Sequence, residues 1–484
     1  MEVESKLVAG FPGETAVDPV VVAASVAASR RILVVLDDDP TGTQSVADLP
    51  VLTRWEAADF AWAFRFRIAG AAAPAVYVLT NTRSLGPGEA EARNREAVTN
   101  ALAAAQEAGI SLGFVSRSDS TLRGHYPLEP DVIAATLQEV LGEGTDGVVI
   151  VPAFPDAGRI TIGGIHYMRN GTGGVTPVAE TEFAADATFG YSHSELARYV
   201  EEKSAGRIPA ADVIVLDLGI VRGGAAGIAD ALADAVDSVP IVADIVTEND
   251  LRALALGLAE SESRGKKLLY RVGPPFVRAR IGQREREALT AEDVFPDGSP
   301  ASRAGGLVVV GSHVGVTTRQ LAALTGRHPN ATTVELLVED LLDAALAEVH
   351  LEETVAAVVA ALGAGDVILH TSRLLVKSDD PAESLRIARV VSAAVVAVVR
   401  RTLAAAPPRF VIAKGGITSS DVAAHGLAIR HAVVRGPMLP GIVSLWEPVD
   451  GPAQGIPYVV FAGNVGDDDS LVDVVRKLST TFQP

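Results

Sequence analysis

Short β-branched runs alternate along this chain with longer alanine-rich stretches of helical period, and that alternation narrows the choice of fold more than any other feature. In the first half the runs are Ile32–Leu36, Val76–Leu79, Ser111–Val115, Gly147–Val151, Val213–Leu216 and Pro240–Ala243. Each is short, apolar and followed by a turn-prone or helical segment, such as Gly88–Glu107 or Glu129–Leu141. Runs that are apolar throughout, rather than alternating, suit strands covered on both faces. Right-handed βαβ units around a mostly parallel sheet follow.

A second series begins after a charged and then Pro/Gly/Ser-rich stretch at 283–305. Its runs are Leu307–Val310, Thr333–Leu336, Val367–His370, Phe410–Ala413, Ala432–Val434 and Tyr458–Phe461, with long helices expected over Val338–Leu362 and Pro381–Ala406. The expectation is two α/β domains with mostly parallel sheets and an active-site cleft between them. Residues 1–30 form an N-terminal extension, 31–282 the first domain, 283–305 a linker and 306–484 the second domain. The 484 residues, 48% of them hydrophobic, supply ample core, and with aromatics at 5% that core must be aliphatic.

Charge and cysteine content exclude several function classes. A net charge of −19, from 41 basic and 60 acidic residues, argues against a nucleic-acid partner. A local arginine cluster can still attract a small anion against that field. With no cysteine there is no disulfide, thiolate nucleophile or Cys-ligated zinc. The acidic start, MEVESKLVAGFPGE, lacks the pattern of a signal peptide, and no apolar run is long enough to span a bilayer. A cytoplasmic protein without a membrane partner is expected, and a homodimer is one arrangement open to it.

The polar residues gather where strands end. Arg117-Ser118-Asp119-Ser120-Thr121-Leu122-Arg123-Gly124 follows an apolar strand and offers guanidinium, carboxylate and hydroxyl groups together. Guanidinium holds a carboxylate in bidentate fashion, and Asp, Ser and Thr bind hydroxyls. The same residues would also serve as a polar turn capping the next helix. Asp37-Asp38-Asp39-Pro40-Thr41-Gly42-Thr43-Gln44 follows another strand. Three adjacent carboxylates repel one another, so they need a cation, a hydrogen-bond network or exposure. Mg²⁺ coordination, general-base work and acceptance of bonds from substrate hydroxyls are the uses open to them, besides that of an Asp-rich turn. A third loop brings Arg159, with Gly163, Gly164 and His166 beyond it; His166 reads equally as a structural residue. Ligands bind beyond the carboxyl ends of strands in such sheets, so one anion site is expected there.

The second half carries glycine loops with hydroxyls: Gly311-Ser312-His313-Val314-Gly315, Lys414-Gly415-Gly416-Ile417-Thr418-Ser419-Ser420 and Ala462-Gly463-Asn464-Val465-Gly466. Glycine lets backbone N–H groups approach phosphate oxygens. Thr418, Ser419 or Ser420 would donate to phosphate and Lys414 would neutralise it. No GxxxxGK[ST] and no strand-linked GxGxxG occurs, so the site is neither a P-loop nor a dinucleotide fingerprint. His370-Thr371-Ser372-Arg373 also ends a strand, as a pocket element or a helix cap.

Together these segments resemble the four-carbon acid sugar kinases, the DUF1537 family. Asp38-Asp39-Pro40-Thr41-Gly42 resembles its DDxTG motif, and Arg117 to Gly124 matches R-x-DSTLRG. Gly311-Ser312, Gly415-Gly416-x-Thr418 and Gly463-Asn464-x-Gly466 resemble its nucleotide motifs. The chain departs from the pattern at Pro40, at Ile417 where an acidic residue is usual, and at Val465 where phenylalanine is usual. The resemblance implies an N-terminal sugar-acid-binding domain, a C-terminal ATP-binding domain, and phosphorylation of acids such as threonate, erythronate or an oxo-tetronate, typically at the terminal hydroxyl. On that reading Arg117 and Arg123, joined by Arg159, hold the carboxylate, and Ser120, Thr121 and Gly124 complete the acid site. Asp38, Asp39 and Asp119 orient hydroxyls, with Asp38 favoured as base. Ser312, Lys414, Gly415, Gly416, Ile417, Thr418, Gly463, Asn464 and Gly466 hold ATP, with Mg²⁺ on its phosphates. Two rival readings exist: a haloacid-dehalogenase-type phosphatase using Asp37 and Asp39, with Asp467 to Asp469 as a second acidic motif, and a non-catalytic sugar-acid sensor.

Overall fold

The computed structural model describes residues 2–171, 173–296, 305–372 and 381–482. Arg373, the last of the four residues His370-Thr371-Ser372-Arg373 named above, lies outside them. The chain divides into two compact units, Met1–Glu285 and Arg286–Pro484.

The first unit is built on eight parallel strands among the described residues, in the order Ile214–Leu216, Val239–Ala243, Gly147–Val151, Leu268–Val272, Ser111–Arg117, Arg31–Asp37, Ala75–Leu79 and Leu49–Leu52. Val34, Val35, Val78 and Val149 in the central strands are fully buried, as runs apolar on both faces require. The register places Leu79, Asp37, Arg117, Val272 and Val151 side by side at one edge. Loops leaving those five positions therefore start as neighbours. Helices Pro87–Ala108, Leu128–Leu141 and Glu248–Ser263 return the chain between strands. The last begins at a capping box in which Thr247 and Asp250 satisfy each other's backbone N–H groups.

Two parts of this unit are absent from the strand pattern read above. Leu49–Leu52 is a further strand, and Arg159–Ile162, Ile165–Arg169 and Gly174–Pro177 form a separate small antiparallel sheet. Glu2–Val3 adds an edge strand to that sheet, and Glu4 forms a bidentate ion pair with Arg169. The helix Pro19–Ser29 packs against Glu248–Ser263, and Gly282 lies so close to Ala23 that a Cβ there would collide with its backbone.

The second unit carries seven strands among the described residues, ordered His431–Leu439, Ile442–Pro448, Tyr458–Phe461, Val411–Lys414, Leu307–Val310, Val367–Thr371 and Thr332–Leu336. The last five are parallel to one another, and the first two form an antiparallel ribbon, turned at Pro440-Gly441, whose second strand also pairs antiparallel with Tyr458–Phe461. Sequence pattern suggests a strand only at Ala432–Val434; the ribbon is longer and its second strand is an addition. The helix expected over Val338–Leu362 is two, Val338–Leu342 and Ala347–Leu362. Both units are thus α/β with mostly parallel sheets. Among the described residues no helix is long and apolar enough to cross a membrane.

Candidate functional site

In the first unit the polar loops meet at the row of strand ends. Asp37 and Arg117 close adjacent strands in register, and Arg117 Nε donates to Asp37 Oδ1. The same guanidinium donates to the backbone carbonyl of Asp39 and lies 3.3 Å from Asp38 Oδ1. A cation inserted among three carboxylates is what their mutual repulsion demands. Gly42 covers the pair, where a Cβ would overlap Asp37 Oδ1 and come within 2.5 Å of Arg117 Nε. Burial still pushes the Asp37 carboxyl up to about 7, against the pull of Arg117.

Arg83 supplies a second cation to the same turn. It leaves the loop after Ala75–Leu79 and grips Asp38 with both arms, Nη2 at 2.6 Å from Oδ1 and Nε at 3.1 Å from Oδ2. Its Nη1 lies 3.7 Å from Asp39 Oδ2. Burial opposes the charge on Asp39, but Arg83, Arg117 and the Thr41 hydrogen bonds outweigh it and hold the carboxyl below its ordinary range. For Asp119, too, burial is the largest influence, and it is overcome by Arg83, Arg123 and Thr121. Sequence reasoning passes over Arg83, although Asn81-Thr82-Arg83-Ser84 follows a strand just as the chosen loops do.

Several expectations change here. Arg117, expected on a substrate carboxylate, is 1% exposed and committed to the Asp37–Asp39 turn. Asp38, favoured as base, has both oxygens held by Arg83 in a side chain 2% exposed. Thr121 is buried and its hydroxyl is bonded to Asp119, and Ser120 is buried as well. Gly124 is a spacer with φ +123°, where a Cβ would stand 2.8 Å from Arg271 Nη2 and 3.1 Å from Asp38 Oδ2. Asp37 is also the nucleophile of the phosphatase reading, and a carboxylate 1% exposed beneath a guanidinium does not meet a phosphoester.

The groups that do reach the surface are Arg83, Asp39, Asp119, Arg123 and Arg159. Arg123 Nε donates to Asp119 Oδ2 at 2.6 Å, and its Nη1 stands 3.8 Å from Asp186 Oδ2. Arg123 and Arg159 both approach the Phe183 ring, at 5.2 and 6.0 Å from its centroid. Arg159 Nη1 donates to the Ala157 carbonyl, while its Nε is buried without a hydrogen-bond partner among the described residues. An orphaned guanidinium N–H beside a second arginine is an anion-sized need. Burial first, and then Arg123, pulls the Arg159 guanidinium below its ordinary range.

In the second unit three glycine loops meet at the ends of Leu307–Val310, Val411–Lys414 and Tyr458–Phe461. A Cβ on Gly311 would overlap Thr418 Oγ1. One on Gly415, whose φ is +134°, would stand 2.9 Å from that oxygen, and one on Gly463 would stand 2.6 Å from Ser312 Oγ. The Ser312 and Thr418 hydroxyls thus lie against a backbone that only glycine permits. Gly416 and Thr418 are partly exposed, and Ile417, Asn464 and Gly466 are exposed, Ile417 to 56%. Such a cradle of N–H groups and hydroxyls fits phosphate oxygens.

Lys414 has a different place from the one expected. It is fully buried, donating to the Ala462 carbonyl at 2.6 Å and the Val465 carbonyl at 3.3 Å, with Nζ 3.9 Å from the Phe461 ring centroid. It anchors the Ala462–Gly466 loop rather than facing a phosphate, and Thr317 and Gln320 hold the same loop through the carbonyls of Gly463 and Val465. Burial pulls the Lys414 amine down to about 7. Ser419 and Ser420 bond to the carbonyls of Ala413 and Ile417, which leaves Thr418 as the hydroxyl toward a ligand. Asp467 accepts from Ser470, and Asp468 and Asp469 pair with Arg319 and Arg327, so that acidic run is a solvated, self-satisfied turn. Among the described residues no cluster of three His, Asp or Glu side chains is arranged to hold a metal.

Residues 33–280 match the family model of a sugar-binding N-terminal domain, and residues 307–471 match that of a nucleotide-binding C-terminal domain. The chain is 28% identical over 311 residues to a D-erythronate kinase of Heliobacterium modesticaldum, covering 63% of each protein. It is 29% identical over 255 residues to a D-threonate kinase of Cupriavidus necator, covering 51% of this chain and 52% of that one. The match thus spans between half and two thirds of these curated relatives. Two crystal structures share the fold. A Salmonella typhimurium LT2 protein does so at 19% identity and a TM-score of 0.65, over 92% of this chain and 99% of that one. A Haemophilus influenzae DUF1537 protein does so at 18% and 0.60, over 91% and 98%. With a sugar-binding domain model matching the first unit and a nucleotide-binding one the second, the chain belongs to the four-carbon acid sugar kinase family, DUF1537.

Proposed function

We propose that this protein is an ATP-dependent kinase that phosphorylates a hydroxyl, the terminal one, of a small four-carbon sugar acid. The observation that carries the reading is the Arg123–Arg159 pair on Phe183, with an unbonded buried N–H on Arg159 and the Asp119 carboxylate alongside. Two guanidiniums and a carboxylate recognise an acid that also bears hydroxyls. Relatives named D-erythronate and D-threonate kinase support that acid class.

Arg123 and Arg159 bind the acid's carboxylate in this account. Asp119 and Asp39 face its hydroxyls. Both described hydrogen bonds to Asp119 fall on Oδ2, which leaves Oδ1 for the attacking hydroxyl. That oxygen accepts the hydroxyl proton as the phosphoryl group transfers. A carboxylate held so far toward its charged form is a weak base, which suffices for a loose transition state in which the proton leaves late. Arg83 holds Asp38 in place and helps to keep Asp39 charged. On the second unit Ser312, Gly415, Gly416, Thr418, Gly463, Asn464 and Gly466 bind the nucleotide phosphates, and Ile417 flanks them. ATP supplies the phosphoryl group, and Mg²⁺ brought with it would screen the phosphate charge. The side chains contribute mainly position and neutralised charge.

The test is ADP release from ATP and Mg²⁺ with D-erythronate or D-threonate. Release that requires one of the acids supports the reading. Release indifferent to both, across other short sugar acids as well, overturns it.

A further inference from the structure

Three consecutive carbonyls of the Arg117–Gly124 loop are held from one side by side chains of the segment that follows it. His166 Nε2 lies 2.8 Å from Ser120 O, Tyr191 Oη donates to Thr121 O at 2.8 Å, and Tyr199 Oη donates to Leu122 O at 2.9 Å. All three side chains are buried, His166 completely. They come from different elements: the small antiparallel sheet, the loop before Leu196–Lys203, and that helix itself. None of them is part of the acid site described above.

The loop has reason to need such support. Leu122 is not glycine, yet its φ is +68°, a left-handed conformation that costs free energy for a branched side chain. Its apolar side chain is buried in the same core cluster as Tyr126, Tyr191 and Tyr199. That backbone reversal separates Thr121, which bonds Asp119, from Arg123, which bonds the same carboxylate oxygen. Loss of the reversal would therefore part Arg123 from Asp119. The carbonyls cannot donate, so the ring N–H of His166 must sit on Nε2, and Nδ1 accepts from the Thr161 hydroxyl at 3.0 Å. Burial draws the imidazole down to about 4, so it stays neutral in this tautomer at neutral pH. The tyrosine rings are braced in turn: Tyr199 stacks on Tyr126 with centroids 5.7 Å apart and meets Tyr191 edge-on at 5.7 Å.

We propose that His166, Tyr191 and Tyr199 are positioning residues for the acid site, fixing the backbone of residues 120–122 so that Asp119 and Arg123 present one preorganised surface to the sugar acid. The proposal rests on the sugar-acid reading for its ligand, and on the three hydrogen bonds alone for its mechanics. Preorganisation of this kind lowers the ordering cost that binding would otherwise carry.

The test uses the full chain with Tyr199→Phe and, separately, Tyr191→Phe, each of which removes a hydroxyl and keeps the ring. Two quantities are read: amide hydrogen exchange over residues 118–124, and the KM values for D-erythronate and for ATP. Each variant is expected to exchange faster over that loop and to raise the KM for the acid about fivefold, the weight of one ordinary hydrogen bond. The KM for ATP stays at the wild-type value. A merely structural role would lower the active fraction and kcat while leaving both KM values alone, and that result overturns the proposal. Unchanged exchange in both variants overturns it too, as does faster exchange with an unchanged KM for the acid. Should the wild type turn over neither D-erythronate nor D-threonate, the functional reading fails, whereas the exchange measurement still decides whether these hydroxyls hold the loop.

Discussion

Arg117 and Asp37 close neighbouring parallel strands in the same register row, and the guanidinium of one lies on the carboxylate of the other with both side chains at most 2% exposed. Arg117 is thereby, with Arg83, a counter-charge that lets three successive aspartates share one turn, and in the function proposed above it is the arginines nearer the surface that bind the acid.

Replacing Arg117 by Met is therefore expected to cost stability first. Removing one partner of a buried ion pair leaves the other charge uncompensated, at about 3–5 kcal/mol. The denaturant midpoint should fall accordingly. A variant of wild-type stability whose only defect is a raised KM for the acid would return Arg117 to the substrate.

Arg123→Ala should behave in the opposite way. The side chain is 23% exposed and bonded mainly to Asp119. Its loss should remove a charge-assisted bond to the acid, about 1.5–3 kcal/mol in kcat/KM, with a change of roughly 1 kcal/mol or less in unfolding free energy. Unaltered kinetics on an acid that the wild type phosphorylates would remove Arg123 from the site.

Gly124→Ala tests the spacing of the loops. The φ of +123° and a Cβ 2.8 Å from Arg271 Nη2 make any side chain costly there. A loss of about 1–3 kcal/mol in stability is expected, together with weaker acid binding, since Asp38 is the other group displaced. Wild-type melting and kinetics would show that the loops approach less closely.

Lys414 predicts a pH signature. Its folded-state value of about 7 lies below the 10.5 of an ordinary lysine. Between these values the unfolded chain binds the extra proton and the folded chain does not. Stability should then rise with pH across that window, and the buried charge should count in full below it. The difference between wild type and Lys414→Met, measured by denaturation at several pH values from 7 to 10.5, isolates this slope from other titrating groups. A difference independent of pH would contradict it.

Most of the parallel strands were legible because their runs are largely apolar, Leu49–Leu52 being one that was not, and the loops at their ends were legible because polar residues and glycine gather there. Partnerships across the sheet were not. Which strand-end residue meets which depends on register, so nothing local marks Arg117 as the partner of Asp37. Arg83 was missed for a lesser reason: it stands in a strand-end loop of the same kind, but without neighbouring acidic or glycine residues to draw notice. Lys414 precedes two glycines and looks exposed in the chain, yet it is the last residue of a central strand and points into the unit. The ribbon His431–Leu439 with Ile442–Pro448 carried a signal in its Pro440-Gly441 turn, obscured by Gly436 and Pro437 within the first strand.

The most direct measurement is the phosphorus NMR spectrum of a reaction holding the protein, ATP, Mg²⁺ and D-erythronate or D-threonate. A new phosphomonoester resonance is expected, coupled to the terminal methylene protons of the acid, growing as ADP appears and absent without the acid. ADP accompanied only by inorganic phosphate, or no ADP with any short sugar acid, would contradict it.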